Sequence, residues 1–273
     1  SEDYLERAVA NDPDDFEAQM AMIYSRASES TALVRLNQVE ESVAVLKAAL
    51  SEAEALRSDH SDDERLIRVI SASQRAMGEA LTAQGKFEEA IPVLEQALEE
   101  LDAVDALVGE DTFATRGRAI ANWRLAYALS QLGQDEEAVL QYDEAIKQSG
   151  KMLARSPDDP DARSIDVMLK AEKAAPLARL GRHEEAEKAL RTQLEVYTDT
   201  YLKDTSAAGP QRAVLIAHYQ LADFFKTTGN KDARCAEYDK FFDFLDMMEE
   251  SGTLSPQDAA ARPEFEAERA DCP

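Results

Sequence analysis

The chain has 273 residues, 44% hydrophobic and 31% charged; this is richer in apolar residues than disordered chains, and the length suits two domains or one extended array. Its 30 basic and 55 acidic residues leave a net charge of −25, which repels phosphate backbones and anionic lipid surfaces and argues against direct nucleic-acid binding. With only 10 Gly and 9 Pro the composition favours helix, and no run approaches the roughly 20 apolar residues that cross a bilayer, so membrane insertion by this chain is not expected.

Residues 1–12 read as the end of a helix whose hairpin partner is missing, so the chain is expected to begin in mid-repeat, with a further hairpin or domain upstream. From residue 13 a motif recurs. "QGKFEEA" places its Gly at 85, "LGQDEEA" at 133, "LGRHEEA" at 181 and "TGNKDA" at 229, each step being 48 residues. One step back lies Asn37, the other residue type that tolerates the left-handed conformation at a helix C-terminus. Before each turn a small residue (Ser30, Gly78, Ala126, Ala174, Ala222) precedes a large one (Leu33, Leu81, Leu129, Leu177, Phe225). After it come Ser42, Ala90, Ala138 and Ala186, then Leu46, Leu94, Tyr142, Leu190 and Tyr238. Small residues let two helix axes approach, and large ones fill the space beside them. The predicted unit is a helical hairpin, repeated five times over residues 13–250.

Connections such as "SDHSDDER" and "SPDDPDARS" supply Asp and Ser as N-caps for the helix that follows. Pro92 and Pro176 fall inside helices and are expected to kink or loosen them. In the last unit, Lys231 and Arg234 stand where apolar and small residues are usual.

The pattern in "MGEALTAQGKFEEAIPVLEQAL" and "LAYALSQLGQDEEAVLQYDEAI" resembles the tetratricopeptide repeat, whose usual period is about 34 residues. The resemblance implies an all-α fold, an α-solenoid wound into a right-handed superhelix, with the extra residues of each unit in longer helix ends. It also implies a non-catalytic scaffold that holds a protein or peptide in its concave groove, and self-association through the repeat ends is open to such a fold.

Residues 251–273 close the array. Gly252 is expected to end the last long helix, and Ser255, Pro256 and Asp258 read as N-cap, first helical residue and acidic third position of a capping helix bent at Pro263. Cys235 and Cys272 lie symmetrically about this turn, so an antiparallel pair of helices would set them level. A disulfide and two unpaired thiols both remain open; the first implies an extracytoplasmic or periplasmic location and the second a cytoplasmic one. Long units with "DPDDPDAR"-like connections, a Cys in the last hairpin, "SGTLSPQD" and a terminal Cys are also similar to the C-terminal sensory regions of bacterial membrane-spanning serine/threonine kinases. No kinase motif is present, so this second resemblance implies the regulatory half of a signalling protein whose catalytic domain is absent from this chain.

No catalytic constellation emerges, and no cofactor or metal is expected. "HEEAEKAL" lacks the second His of a zinc-protease motif, and His183 reads as a packed repeat residue. Paired glutamates recur at the start of each second helix, where the helix dipole favours acidic side chains. Function is instead expected on the inward faces of the first helices: Arg75, Glu79 and Thr82; Trp123, Arg124, Tyr127 and Ser130; Arg179; and Tyr219, Asp223 and Lys226. Aromatic and Arg side chains are common interface anchors, which makes Arg75, Trp123, Arg124, Tyr127, Arg179 and Tyr219 the candidate peptide-binding residues. The alternative for Trp123 and Tyr127 is packing between neighbouring units.

Overall fold

The computed structural model describes residues 2–36 and 38–272, so the predicted turn at Asn37 lies outside the described residues. Among the described residues there are thirteen helices and no strand. The chain divides into two compact units, residues 1–163 and 164–273.

In the first unit, α1 (Glu2–Asn11) precedes three antiparallel hairpins: α2 (Phe16–Arg35) with α3 (Val39–Arg57), α4 (Glu64–Ala83) with α5 (Phe87–Val108), and α6 (Thr112–Gln131) with α7 (Asp135–Arg155). The unit boundary falls within α8 (Pro160–Glu172). The second unit continues with α9 (Ala174–Arg179), α10 (His183–Lys203), α11 (Ala208–Thr228), α12 (Lys231–Glu250) and α13 (Pro256–Arg269).

Each first helix ends in the same way. Gly85 has φ 72°, Gly133 74°, Gly181 76° and Gly229 76°. This left-handed residue lets the next N–H turn back onto the carbonyl five residues earlier: Lys86 onto Leu81 (2.9 Å), Gln134 onto Leu129 (3.0 Å), Arg182 onto Leu177 (2.8 Å) and Asn230 onto Phe225 (2.9 Å). Gln38 donates to Leu33 in the same pattern at 2.8 Å. The large residue before each turn is therefore both a core side chain and the backbone acceptor of its cap. Helix starts share a register too. The side chains of Asp15, Asp63, Asp111 and Asp159, each 48 residues from the last, accept backbone N–H groups of the first turn that follows. α11 departs from this, starting at Ala207 with no side-chain cap.

The small-and-large code packs the hairpins. Ser30, Ala126, Ala174 and Ala222 are at most 2% exposed, and Leu46, Leu94, Tyr142, Leu190 and Tyr238 at most 3%. At Gly78 the approach is so close that a Cβ would stand 2.4 Å from Leu94 Cδ2, so this position excludes even Ala unless Leu94 moves. In the first unit, Leu46, Met77, Leu81, Leu94, Leu125 and Leu129 join consecutive hairpins into one core.

The three internal prolines behave differently. Pro176 separates α8 from α9 at Lys173, because its missing N–H removes a partner from the carbonyl four residues earlier. Pro92 leaves α5 unbroken and Pro263 leaves α13 unbroken. Both are exposed, so the carbonyls they orphan face water.

At the C-terminus, Gly252 (φ 71°) ends α12. Ser255 accepts the Asp258 N–H at 3.0 Å and donates to its carboxylate at 2.7 Å, with Pro256 in the first turn. Asp258 also accepts two bonds from the Arg212 guanidinium on α11, 2.7 and 3.0 Å. α13 lies against α11 and α12 through Phe265, whose ring is 5.2 Å from Tyr219 and 4.9 Å from Phe241. The sulfurs of Cys235 on α12 and Cys272 after α13 are bonded at 2.02 Å. Arg234, which breaks the small-residue pattern, pairs with Asp271 beside this bond.

Candidate peptide-binding face

The six candidate residues divide between the units. Arg75, Trp123, Arg124 and Tyr127 lie in the first, on α4 and α6, while Arg179 and Tyr219 lie in the second, on α9 and α11.

On α6 the Arg124 guanidinium stacks 3.9 Å above the Trp123 ring and reaches α4, where Glu79 accepts from it at 2.5 Å. Its Nε is buried with no hydrogen-bond partner. Tyr127, one turn on, is 37% exposed and meets the ring of Phe87, at the start of α5, edge-on at 6.0 Å. Trp123 and Arg124 are half-buried. The face thus presents one ring under a cation and a second ring open to solvent. Beside it, Ser30, Thr31 and Val34 of α2 with Ala76 and Glu79 of α4 line a cleft of about 230 Å³.

Toward the helix starts the face becomes basic. Arg68 and Arg75 of α4 both lie over the Phe113 ring of α6, their guanidinium carbons 4.9 and 5.8 Å from its centroid. Arg68 is paired with Asp111 at 2.5 Å and Glu64 at 3.5 Å. Burial works to raise the Asp111 carboxyl, but Arg68 and the N–H groups it caps outweigh this and hold it below its ordinary value. Arg75 differs: burial pushes its guanidinium below the usual range, the like charge of Arg116 adds to this, and Glu79 opposes it. Phe113 and Arg116 sit outside the short motif by which the repeat is recognised, so the motif gave no reason to single them out.

In the second unit Arg179 is exposed, and its charge acts on Asp223. Burial raises the Asp223 carboxyl and Glu268 adds to this, against Lys226 and Arg179. Tyr219 is half-buried beneath α13, and its hydroxyl donates to Glu268 at 3.3 Å, a carboxylate that also accepts from Tyr238 at 2.9 Å. Burial and then the Glu268 charge push Tyr219 up from 10.0 to about 12. Its neutral form therefore stabilises the fold fully below pH 10, and that contribution is lost as pH rises through 12. The difference in phenolate absorbance between the wild type and Tyr219→Phe, followed against pH, is expected to show one tyrosine ionising at about 12.

The histidines are placed unlike their sequence reading. His183 is exposed and only meets Phe224 edge-on at 6.4 Å, because it stands on the outer side of the first turn of α10; the expectation of a packed residue is corrected. His218 is buried, its Nδ1 2.7 Å from Glu237 Oε2. The signal for that contact was available, since His218 and Glu237 flank the Gly229 turn in the same way that the cysteines flank Gly252.

Among the described residues no helix is long and apolar enough to cross a membrane. No curated protein sequence matches the chain. Its structure is similar to the crystal structure of BtubC (BKLC) from P. vanneervenii, with TM-score 0.63 and 16% identity over 91% of this chain and 88% of that one. A second similar structure, YrrB, described as a TPR protein with an unusual peptide-binding site, has TM-score 0.45 and 16% identity over 89% of this chain and 93% of that one. Residues 75–160 match the family model of the tetratricopeptide repeat. Residues 75–160 thus carry tetratricopeptide repeats, and with like hairpins before and after that segment the chain has an α-solenoid fold.

Proposed function

We propose that this chain is a binding scaffold rather than an enzyme, and that the inward face of α4 and α6 in the first unit holds an extended protein segment. The observation that supports it is the arrangement on α6: a guanidinium stacked on Trp123 with a buried Nε lacking a partner, next to the exposed Tyr127 ring. A helix face that only packs against its neighbours has no use for such groups. Aromatic and Arg side chains, held in place by packing beneath, are the usual anchors of an interface. A backbone carbonyl or carboxylate of a bound segment suits what is left exposed of the half-buried Arg124 side chain, and an apolar side chain suits Tyr127 and Phe87. Tyr219 is a weaker candidate, because α13 already covers its ring.

The test is selection of binders from a displayed random-peptide library on the immobilised full chain, followed by affinity measurement against variants. Arg124→Glu with Tyr127→Ala is expected to weaken selected peptides by about a hundredfold, the effect of losing two anchors of about 1–2 kcal/mol each. Unchanged affinity in a folded double variant removes this face from the reading.

A further inference from the structure

We infer that the Cys235–Cys272 bond is a redox latch: a site of thiol–disulfide exchange at which a dithiol reductant frees α13 from α11 and uncovers the Tyr219 ring. The inference is independent of the α4 and α6 face, which lies in the other unit.

The two cysteines are unequally placed. Cys235 is buried on α12, 7% exposed, whereas Cys272 is half-buried and lines an open cleft of about 330 Å³ with Phe242, Asp246, Arg262, Glu266 and Arg269. The two cations and two carboxylates of that lining balance, and Arg262 pairs with both Asp246 and Glu266, so the cleft sets no net charge against an incoming thiolate. Exchange rates depend on which sulfur can be reached and on how readily the other leaves. Access selects Cys272 as the sulfur attacked. Cys235 is then the leaving group; it stands near the N-terminus of α12, with Lys231 one turn before it, and both features favour a thiolate there.

In the first step a thiolate of the reductant bonds to Cys272 Sγ and the Sγ–Sγ bond breaks, its electron pair leaving on Cys235, which takes up a proton. In the second, the other thiol of the reductant attacks its own sulfur in the mixed disulfide, and Cys272 leaves and is protonated in turn. The protein gains two electrons and the two protons that the reductant gives up, and the dithiol becomes a disulfide.

The seating of α13 decides what the bond restrains. Leu221 and Phe225 of α11 and Leu245 and Met248 of α12 are buried, whereas no residue of α13 is. Phe265 of α13 covers the rings of Tyr219 and Phe241, and Glu268 accepts from the Tyr219 hydroxyl. Tied by the chain before Ser255 and by the bond at Cys272, α13 can fray but cannot depart. Cutting the bond leaves one tie. Local opening then removes the whole helix from Tyr219, while α11 and α12 keep their core.

The test uses the full chain in native buffer. A monothiol, β-mercaptoethanol, followed by rapid alkylation with iodoacetamide and mass spectrometry, is expected to leave the monothiol on Cys272 and the alkyl group on Cys235. Hydrogen–deuterium exchange is then compared between the oxidised chain and the chain reduced with dithiothreitol. Exchange within α13 is expected to rise by about a hundredfold on reduction, with α4 to α7 unchanged. Ala270 is exposed and lines the cleft, so Ala270→Trp adds bulk there without touching the core. It is expected to slow reduction by about tenfold and to leave exchange of the oxidised chain as it was. Reduction only under denaturing conditions, a monothiol on Cys235 instead, α13 equally protected in both states, or a rate indifferent to Ala270→Trp overturns the latch.

Discussion

Replacing Cys235 and Cys272 together with Ala is expected to lower the stability of the chain by about 4 kcal/mol and to free its last helix. The bond joins residues 37 apart, and closing a loop of that length removes entropy from the unfolded chain worth about 4 kcal/mol at 25 °C. Little else of comparable strength holds α13, in which no residue is fully buried. Its attachments are Phe265 among Tyr219 and Phe241, the Glu268 bonds to two tyrosines, and ion pairs of Arg262, Arg269 and Asp258, most of them exposed at one partner. Exposed pairs contribute about 0–1 kcal/mol each. Denaturant unfolding of the oxidised wild type beside the double variant measures the difference. Limited proteolysis is expected to cut the variant near residues 251–255 before any other site. A loss below about 1 kcal/mol, with α13 still protected, contradicts this account.

Glu237→Ala is expected to cost about 3–5 kcal/mol, because it strands buried polar groups rather than merely removing a contact. Glu237 and His218 are 5% and 7% exposed, with Oε2 2.7 Å from Nδ1, and Oε1 takes the Lys240 ammonium at 3.0 Å. Burial works to raise the Glu237 carboxyl, and the His218 and Lys240 donors outweigh it, so the group sits below its ordinary value. The unfolded chain then binds a proton at higher pH than the folded one. The stabilisation is thus complete above the ordinary carboxylate range and is lost as pH falls through the lowered value. Stability of the wild type should fall across that acid window, and Glu237→Gln should flatten this part of the profile. Replacing His218 and Glu237 together by Phe and Leu is expected to recover much of the loss, as apolar groups of similar size often replace a buried pair at little cost. A loss in the double variant equal to the sum of the losses from His218→Phe and Glu237→Leu alone would show that the pair is not coupled.

Most of the fold was legible because it rests on local, repeated chemistry. The glycines at 85, 133, 181 and 229 carry the same left-handed cap, and the small residues at 126, 174 and 222 are buried against the large ones after the turn. The N-cap register of Asp15, Asp63, Asp111 and Asp159 was equally periodic but lay hidden in clusters of other acids, where nothing marks which carboxylate meets the backbone. Prolines were legible only in part: whether one breaks a helix depends on where its orphaned carbonyl points, and burial is a tertiary property. Pro176 is buried and ends α8, whereas Pro92 and Pro263 face water.

The candidate face was less legible. Helical spacing places Trp123, Arg124 and Tyr127 inward, yet the Arg124 to Glu79 bond joins residues 45 apart in consecutive hairpins. The stacking of Arg68 and Arg75 on Phe113 depends on how far one first helix slides along the next, which the 48-residue period does not specify. Tyr219 reads as an inward residue like Trp123, but the chain after Gly252 folds back over it.

The claim that α4 and α6 form the binding face is tested most directly by photo-crosslinking. A benzophenone side chain replaces Tyr127 in one variant of the full chain and Leu140, 64% exposed on the second helix α7, in another. With a library-selected peptide at saturating concentration, crosslinking is predicted at position 127 and at background level at 140, and excess unlabelled peptide should abolish it. Equal yields at both positions, or capture at 140 alone, would contradict the account.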